Sequence, residues 1–197
     1  AIDNMARQVF LTLRDRWFDG ASLYYMNADA GQDADGDGSG DVDSPPTLSN
    51  LDSAITSWAS QTDKLTVYLI GDSVNGTLIL NDTEVLDGQS LSVWLNRFQT
   101  DERFVNVIAE FPRSGEMTRW LTAPQGMKRV VVTSTQADGT CLWAQDGGFS
   151  FSSVFMSHIL DGLSIGRAFD RARPAIETAS GDANQVAQLD DSGNGIS

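Results

Sequence analysis

The chain has 197 residues, of which 41% are apolar, and this composition is typical of a globular protein and not of a disordered one. Its 27 acidic and 13 basic side chains give a formal net charge of −14, which argues against binding to nucleic acid or to anionic lipid surfaces. The single cysteine excludes an intrachain disulfide, and no apolar run is long enough to predict a membrane span.

Hydrophobic periodicity predicts helices and strands that alternate along the chain. In chain order the predicted elements are a helix over 5–18, a strand over 21–27, a helix over 51–59 capped by Ser49, strands over 64–71 and 77–81, a helix over 89–99, a strand over 104–111, a short helix over 117–121, a strand over 129–135, and helices over 151–160 and 165–172. The Asp/Gly-rich segment 27–46 is a predicted exposed loop. Long apolar strands between helices indicate an α/β fold with a mostly parallel sheet covered by helices on both faces.

Two acidic residues stand at strand ends, where ligands of such sheets usually bind. Asp72 follows the predicted strand 64–71, and Glu110 lies at the end of the strand 104–111. A carboxylate pair there would serve acid–base chemistry or hold a cation. The interpretation we favour is an exposed loop aspartate beside a buried, hydrogen-bonded glutamate.

A series of segments along the chain carries a family resemblance. In order they read TLSNLDSAITSWA, LTVYLIG, SLSVWLNRFQ, VNVIAE, RSGEM, VVVTST, GGFSFSSVF and DGLSIGRAFDRA. Together they resemble the legumain-type cysteine peptidases, and bacterial members in particular. The resemblance implies a caspase-like three-layer sandwich over residues 1–180, followed by an acidic C-terminal tail over 181–197.

The same resemblance implies a cysteine–histidine dyad at two strand ends, in Gly-His-Gly-like and Glu-x-Cys-x-Ser-Gly-like sequences. In this chain Asp72 stands at the histidine position and Pro112 at the cysteine position. Proline has no nucleophilic atom, and an ionised aspartate is a poor acid for a leaving amine. We therefore expect a pseudopeptidase that acts as a binding or scaffold module for a peptide or protein partner, with homodimerisation as a further expectation. The vestigial cleft would be formed by Gly71, Ser73, Glu110, Arg113, Ser114 and Gly115.

The alternative function is an active cysteine-type peptidase with a relocated nucleophile. Cys141 is the only thiol and His158 the only imidazole, so this hypothesis requires the two side chains to lie within hydrogen-bonding reach. Otherwise Cys141 is a small half-buried residue and His158 a packed or surface residue. Ser114 has no evident base, and a turn-forming role suits it better.

The acidic loop partly follows the calcium-loop pattern. Asp33, Asp35 and Asp37 take positions 1, 3 and 5, Gly38 takes position 6, and Asp41 takes position 9. Position 12 is a serine where a bidentate glutamate is wanted, and a strand is predicted before the loop, so this is not an EF-hand. The pattern still predicts a Ca²⁺ site, with a solvated loop as the alternative. The predicted ligands are Asp33, Asp35, Asp37, Asp41 and Asp43, with Asp29 as a substitute for Asp43.

A second acidic segment repeats the pattern more weakly. Asp190, Ser192 and Asn194 alternate before Gly195, which predicts a weaker calcium site that ends too soon to be complete. Aspartate-rich loops of this kind favour a calcium-rich compartment, so we expect an extracellular or periplasmic protein.

Overall fold

The computed structural model describes residues 1–16, 18–100 and 102–195, and the last two residues of the predicted tail lie outside that range. Helices and strands alternate through most of the described chain. In order they are α1 (Ile2–Asp15), α2 (Leu48–Thr56), β1 (Lys64–Ile70), β2 (Ser73–Val74), β3 (Thr77–Ile79), β4 (Val85–Leu86), α3 (Gly88–Phe98), β5 (Phe104–Glu110), β6 (Lys128–Thr133), α4 (Phe151–Leu160), α5 (Ile165–Ser180) and β7 (Gln188–Asp190).

The central sheet has the strand order β1-β5-β6-β7. β1, β5 and β6 run parallel, and β7 is antiparallel to β6. Because successive side chains of a strand point to opposite faces, each strand contributes to two apolar layers. Val107 of β5 packs in the layer with α2 and α3, whereas Ile108 packs in the layer with α1, α4 and α5. The prediction of an α/β fold with a mostly parallel sheet and helices on both faces is confirmed.

A second, smaller sheet leads from β1 to α3. Its strands β2, β3 and β4 pair antiparallel in sequence order. Leu78 and Leu86 face each other across β3 and β4 and are almost fully buried, so one face of this sheet belongs to the core. The backbone carbonyl of Asp72 accepts a hydrogen bond from the N–H of Ile79 at 2.9 Å, which extends the pairing of β2 and β3 to the end of β1.

The prediction of a strand over 21–27 is wrong. Gly20–Ser22 forms a turn of 3₁₀-helix, and Met26 makes only a single bridge, to Ser44. The Tyr25 backbone instead pairs with Asp43: its carbonyl accepts from the Asp43 N–H at 2.8 Å, and its N–H donates to the Asp43 carboxylate at 2.7 Å. The two aromatic residues of this segment instead pack outside a sheet: the Tyr25 ring lies against Phe10 of α1 and the Tyr24 ring against Trp58.

Other element boundaries also differ from the predictions. The side chain of Thr47, and not that of Ser49, caps α2 by accepting from a backbone N–H. Helix α5 continues through Pro174 to Ser180, because its buried stripe continues beyond the proline. The predicted short helix over 117–121 is a 3₁₀-helix over Ser114–Trp120. The segment expected to be an acidic tail contributes β7, which pairs with β6 in the central sheet.

Candidate functional site

The carboxyl ends of β1 and β5 lie side by side, as parallel strands require. The Gly71 N–H donates to the Glu110 carbonyl at 3.2 Å. Two residues further along each strand end, the Ser73 hydroxyl donates to the Pro112 carbonyl at 2.5 Å. The segments that carry Asp72 and Pro112 are therefore adjacent at this edge of the sheet.

The two carboxylates at this edge have different environments. Asp72 is exposed to solvent, whereas Glu110 is fully buried. The Glu110 carboxylate accepts hydrogen bonds from the indole N–H of Trp143 at 3.1 Å and from the backbone N–H groups of Phe151 and Ser152 at 3.2 and 2.6 Å. Glu110 thus satisfies N–H groups in the first turn of α4, where negative charge is favoured. This arrangement agrees with an exposed aspartate beside a buried, hydrogen-bonded glutamate.

A chain of polar groups joins Glu110 to the half-buried Tyr68 of β1. The Tyr68 hydroxyl donates to the Ser152 hydroxyl at 2.9 Å, and Ser152 in turn hydrogen-bonds Glu110. Burial raises the pKa of both Glu110 and Tyr68 above their ordinary values, because it disfavours their charged forms. Sequence reasoning missed Tyr68, Trp143 and Ser152 as partners of Glu110. The sequence offered only a weak sign of them, a polar residue inside the apolar strand β1 and the serines that begin α4.

The other residues of the predicted cleft are closely packed by the chain itself. Arg113 adopts a left-handed backbone conformation with φ of 63°, and its side-chain Nε donates to the Ala137 carbonyl at 3.0 Å. Ser114 is fully buried, with its hydroxyl 3.5 Å from that of Ser134. A Cβ atom at Gly115 would lie only 2.7 Å from the backbone nitrogen of Ala137. The loop after β6 therefore covers residues 113–115.

Cys141 lies in this same region, and His158 does not. The Cys141 sulfur is 3.3 Å from the Ser134 hydroxyl. Burial, followed by the nearby charges of Glu110 and Asp72, raises the pKa of the Cys141 thiol and so opposes formation of a thiolate. His158 occupies the last turn of α4, with its Nδ1 atom 3.9 Å from the Asp161 carboxylate. Within the part of the chain that the structure describes, no hydrogen bond joins Cys141 to His158.

The acidic loop brings three of its predicted ligands together. One carboxylate oxygen from each of Asp33, Asp35 and Asp37 lies within 4.8 Å of the other two, so this group could hold a metal ion. Gly36 and Gly38 have φ values of 80° and 93°, which let the chain curl around the Asp33 side chain. Hydrogen bonds from backbone N–H groups, that of Gly38 first, lower the pKa of Asp33 and favour its charged form.

Asp41 and Asp43, the other predicted ligands, do not belong to this group. The Asp41 carboxylate accepts from the backbone N–H of Ala34 at 2.7 Å, and the Asp43 carboxylate from that of Tyr25. Asp29, the substitute, accepts from the N–H of Gly31 at 3.0 Å. These three carboxylates accept hydrogen bonds from backbone N–H groups in or beside the loop and so stabilise its conformation. Oxygen donors beyond the three clustered aspartates would therefore be backbone carbonyls or water.

Two arginines of α1 hold the acidic loop against the body of the protein. Arg7 donates from Nε to the carbonyl of Ala34 at 2.6 Å, and Ala34 is fully buried. Arg14 lies 3.4 Å from the Asp35 carboxylate and 3.9 Å from that of Asp41. The loop is therefore docked on a helix on its inner side, while Asp37 remains exposed.

The second acidic segment is organised around one buried carboxylate. Asp190 is only 1% exposed, and its oxygens accept from the N–H groups of Ser192, Gly193 and Gly195 at 3.1, 2.8 and 2.7 Å, and from the Ser192 hydroxyl at 2.9 Å. These four donors occupy both oxygens of the carboxylate. Asp190 thus organises the turn over 190–195, much as Asp33 organises the acidic loop, and the weaker calcium site predicted from Asp190, Ser192 and Asn194 stays a prediction.

Comparison with known proteins adds no assignment. No protein-family model matches the chain, and no curated protein matches its sequence. Within the described residues, none of the helices combines the length and the apolar character needed to cross a membrane.

Proposed function

We propose that the protein is a non-catalytic module of the caspase/legumain-like type that serves as a binding or scaffold unit. The observation that carries the proposal is the pair of adjacent strand ends, where the resemblance calls for histidine and cysteine. Those ends carry Asp72 and Pro112, and the Ser73–Pro112 hydrogen bond joins them. Support also comes from the mostly parallel sheet with helices packed on both faces.

The chemistry of the available side chains supports an inactive site. Hydrolysis of a peptide bond by this class needs a thiolate and an imidazole that protonates the leaving amine. Pro112 supplies no nucleophile, and the only thiol, Cys141, has a raised pKa and a serine as its neighbour. The competing function, a peptidase with Cys141 as a relocated nucleophile, would need a base that the described surroundings of Cys141 do not provide.

Turnover measurements test the inactive assignment. A panel of unstructured peptides is incubated with the wild type and with C141S, and the products are followed by mass spectrometry. We expect no cleavage by either protein. Cleavage that C141S abolishes would refute the proposal in favour of the relocated nucleophile, and cleavage that survives C141S would refute it in favour of another active group.

We further propose that Asp33, Asp35 and Asp37 bind Ca²⁺ and that the ion stabilises the acidic loop in an extracellular or periplasmic setting. Ca²⁺ prefers oxygen ligands in a flexible arrangement. Arg14 offsets only part of the charge of the three clustered carboxylates, and their remaining mutual repulsion favours a bound cation. Thermal melting in Ca²⁺ and in chelator tests this. We expect Ca²⁺ at about 100 times its dissociation constant to add about 2.7 kcal/mol, a rise of several degrees.

A matched pair of variants makes the calcium test specific. D35N removes one clustered carboxylate and should lower the response to Ca²⁺ strongly. D29N removes a carboxylate of the same loop that lies outside the cluster, and should keep the response. An unchanged melting temperature in the wild type, or an equal loss in both variants, would contradict the site.

A further inference from the structure

The small sheet has an outer face that is apolar and open. Pairing places Asp72 opposite Ile79, and Ile79 opposite Val85, in one row across the three strands. Val74 lies opposite Thr77 two rows further along, and therefore on the same face. Directly opposed residues of an antiparallel pair point to the same face. The apolar members of these rows, Val74, Ile79 and Val85, are 47%, 41% and 42% exposed, whereas their neighbours Leu78 and Leu86 are buried on the other side.

The segment that forms this face carries charge of one sign, whereas Glu116, which lies beside Gly76 in the turn between β2 and β3, is paired with Arg113 and Arg119. Segment 71–96, which contains the whole small sheet, carries four acidic residues and no lysine, arginine or histidine. Asp72 stands in the same row as Ile79 and Val85, and Asp82 is exposed in the turn between β3 and β4. An apolar patch with an acidic rim complements a partner that presents apolar side chains together with positive charge.

We propose that this outer face docks a cationic, amphipathic segment of a protein partner in extended conformation, with Asp72 as its charged contact. Side chains alternate along an extended chain, so its apolar residues would cover Val74, Ile79 and Val85. Lysine or arginine residues at its margin would pair with Asp72 and Asp82. A second copy of the chain is disfavoured as the occupant, because it would bring the same acidic rim against this one.

This inference rests on the proposed function, because it names the partner class of the non-catalytic module. It also gives Asp72 a role at the position where the resemblance calls for a catalytic histidine. Asp72 borders both the vestigial cleft and the outer face, through the Ser73–Pro112 and Asp72–Ile79 contacts. If Asp72 contributes negative charge to binding, the protein does not need the catalytic base that a histidine at this position would supply.

Three fluorescein-labelled peptides of about ten residues, a length that spans a small sheet, test the inference on the whole protein. One alternates lysine and valine, the second alternates lysine and serine, and the third alternates glutamate and valine. Fluorescence anisotropy at low and high salt measures binding. We expect the lysine–valine peptide to bind at least about tenfold more tightly than either of the others, with a dissociation constant that rises with salt.

Variants locate the binding on the outer face. I79T combined with V85T keeps β-branched residues in the strands but removes apolar surface, and should weaken the lysine–valine peptide about tenfold or more. D72N keeps the side-chain shape and should weaken binding about threefold to tenfold while reducing the effect of salt. V93T is the matched control, because Val93 on α3 is 43% exposed but lies outside the small sheet.

Each outcome bears on the inference. Equal binding of the lysine–valine and lysine–serine peptides would overturn it. Equal affinity of the lysine–valine peptide for I79T/V85T and for V93T would also overturn it. In both cases the interaction would be a general attraction to an acidic protein. Dimerisation of the wild type in sedimentation, abolished by I79T/V85T, would also overturn it by making a second copy the occupant. Anisotropy together with mass spectrometry of the peptide after incubation separates this inference from the proposed function. A peptide that binds and stays intact supports both. A cleaved peptide refutes the inactive assignment, and a peptide that does not bind refutes the docking face alone.

Discussion

Removal of the Glu110 carboxylate should destabilise the protein severely. In E110A, the backbone N–H groups of Phe151 and Ser152 and the indole N–H of Trp143 all lose their acceptor. Glu110 is fully buried, so water cannot replace the carboxylate without opening the junction between β5 and α4. We therefore expect the loss to come from unsatisfied donors in the interior and not from a changed surface.

The magnitude of the loss follows from the number of donors. Each buried donor without an acceptor costs about 1–3 kcal/mol, and the three costs add incompletely because the groups share one site. We expect E110A to lose about 3–5 kcal/mol of unfolding free energy, a large part of the roughly 5–15 kcal/mol that a protein of this kind possesses. The melting temperature should fall by about 6–20 °C.

Urea unfolding followed by tryptophan fluorescence measures this loss, and E116A is the matched control. The Glu116 carboxylate lies 2.9 Å from Arg119, whose side chain is 66% exposed, so E116A should lose at most about 1 kcal/mol. If E110A and E116A were destabilised equally, or if E110A stayed within about 1 kcal/mol of the wild type, the role assigned to the buried carboxylate would be refuted.

Three further outcomes can be measured by the same unfolding assay. Burial raises the pKa of Glu110 above its ordinary value of 4.5. The unfolding free energy of the wild type minus that of E110Q should therefore be greatest below pH 4.5 and should fall as the pH rises. A difference in unfolding free energy that does not change with pH would contradict the raised pKa. G115A should lose about 1–3 kcal/mol, because its Cβ would clash with the loop after β6, whereas G166A, with open space around it, should lose nothing. D190A should lose about 2–4 kcal/mol through its orphaned N–H groups, whereas D191A, at an exposed position, should change stability by no more than about 0.5 kcal/mol.

The sequence predicted the three parallel strands well because each is a near-continuous apolar run. β5 and β6 are buried along most of their length, and β1 alternates between buried and more exposed side chains; both patterns leave a strong local signal. β7 leaves none, since it has three residues, two of them polar, and its position depends on pairing with β6. The segment 21–27 misled the prediction in the opposite way. Its aromatic residues pack on Phe10 and Trp58, while its backbone pairs with the acidic loop.

The same contrast applies to the candidate site. Asp33, Asp35 and Asp37 are close in sequence, and glycines between them make their convergence a local property that spacing can predict. Spacing cannot show that Asp43 stays outside this cluster, because its carboxylate accepts a hydrogen bond from the N–H of Tyr25, eighteen residues earlier in the chain. The contacts of Glu110 with the start of α4 join residues about forty positions apart, a separation at which sequence pattern carries no information on pairing.

The antiparallel strand β7 has a consequence for how the fold is assembled. Val131 of β6 pairs with Asp190, and Gln185 just before β7 donates to the carbonyl of Ser134 at 2.8 Å and accepts from the N–H of Leu142 at 2.6 Å. During synthesis, β6 therefore emerges about sixty residues before its second neighbour, and its outer edge stays unpaired until then. The central sheet is therefore completed late in synthesis. A chaperone that covers the unpaired edge of β6 until β7 has been made would prevent that edge from pairing with other chains.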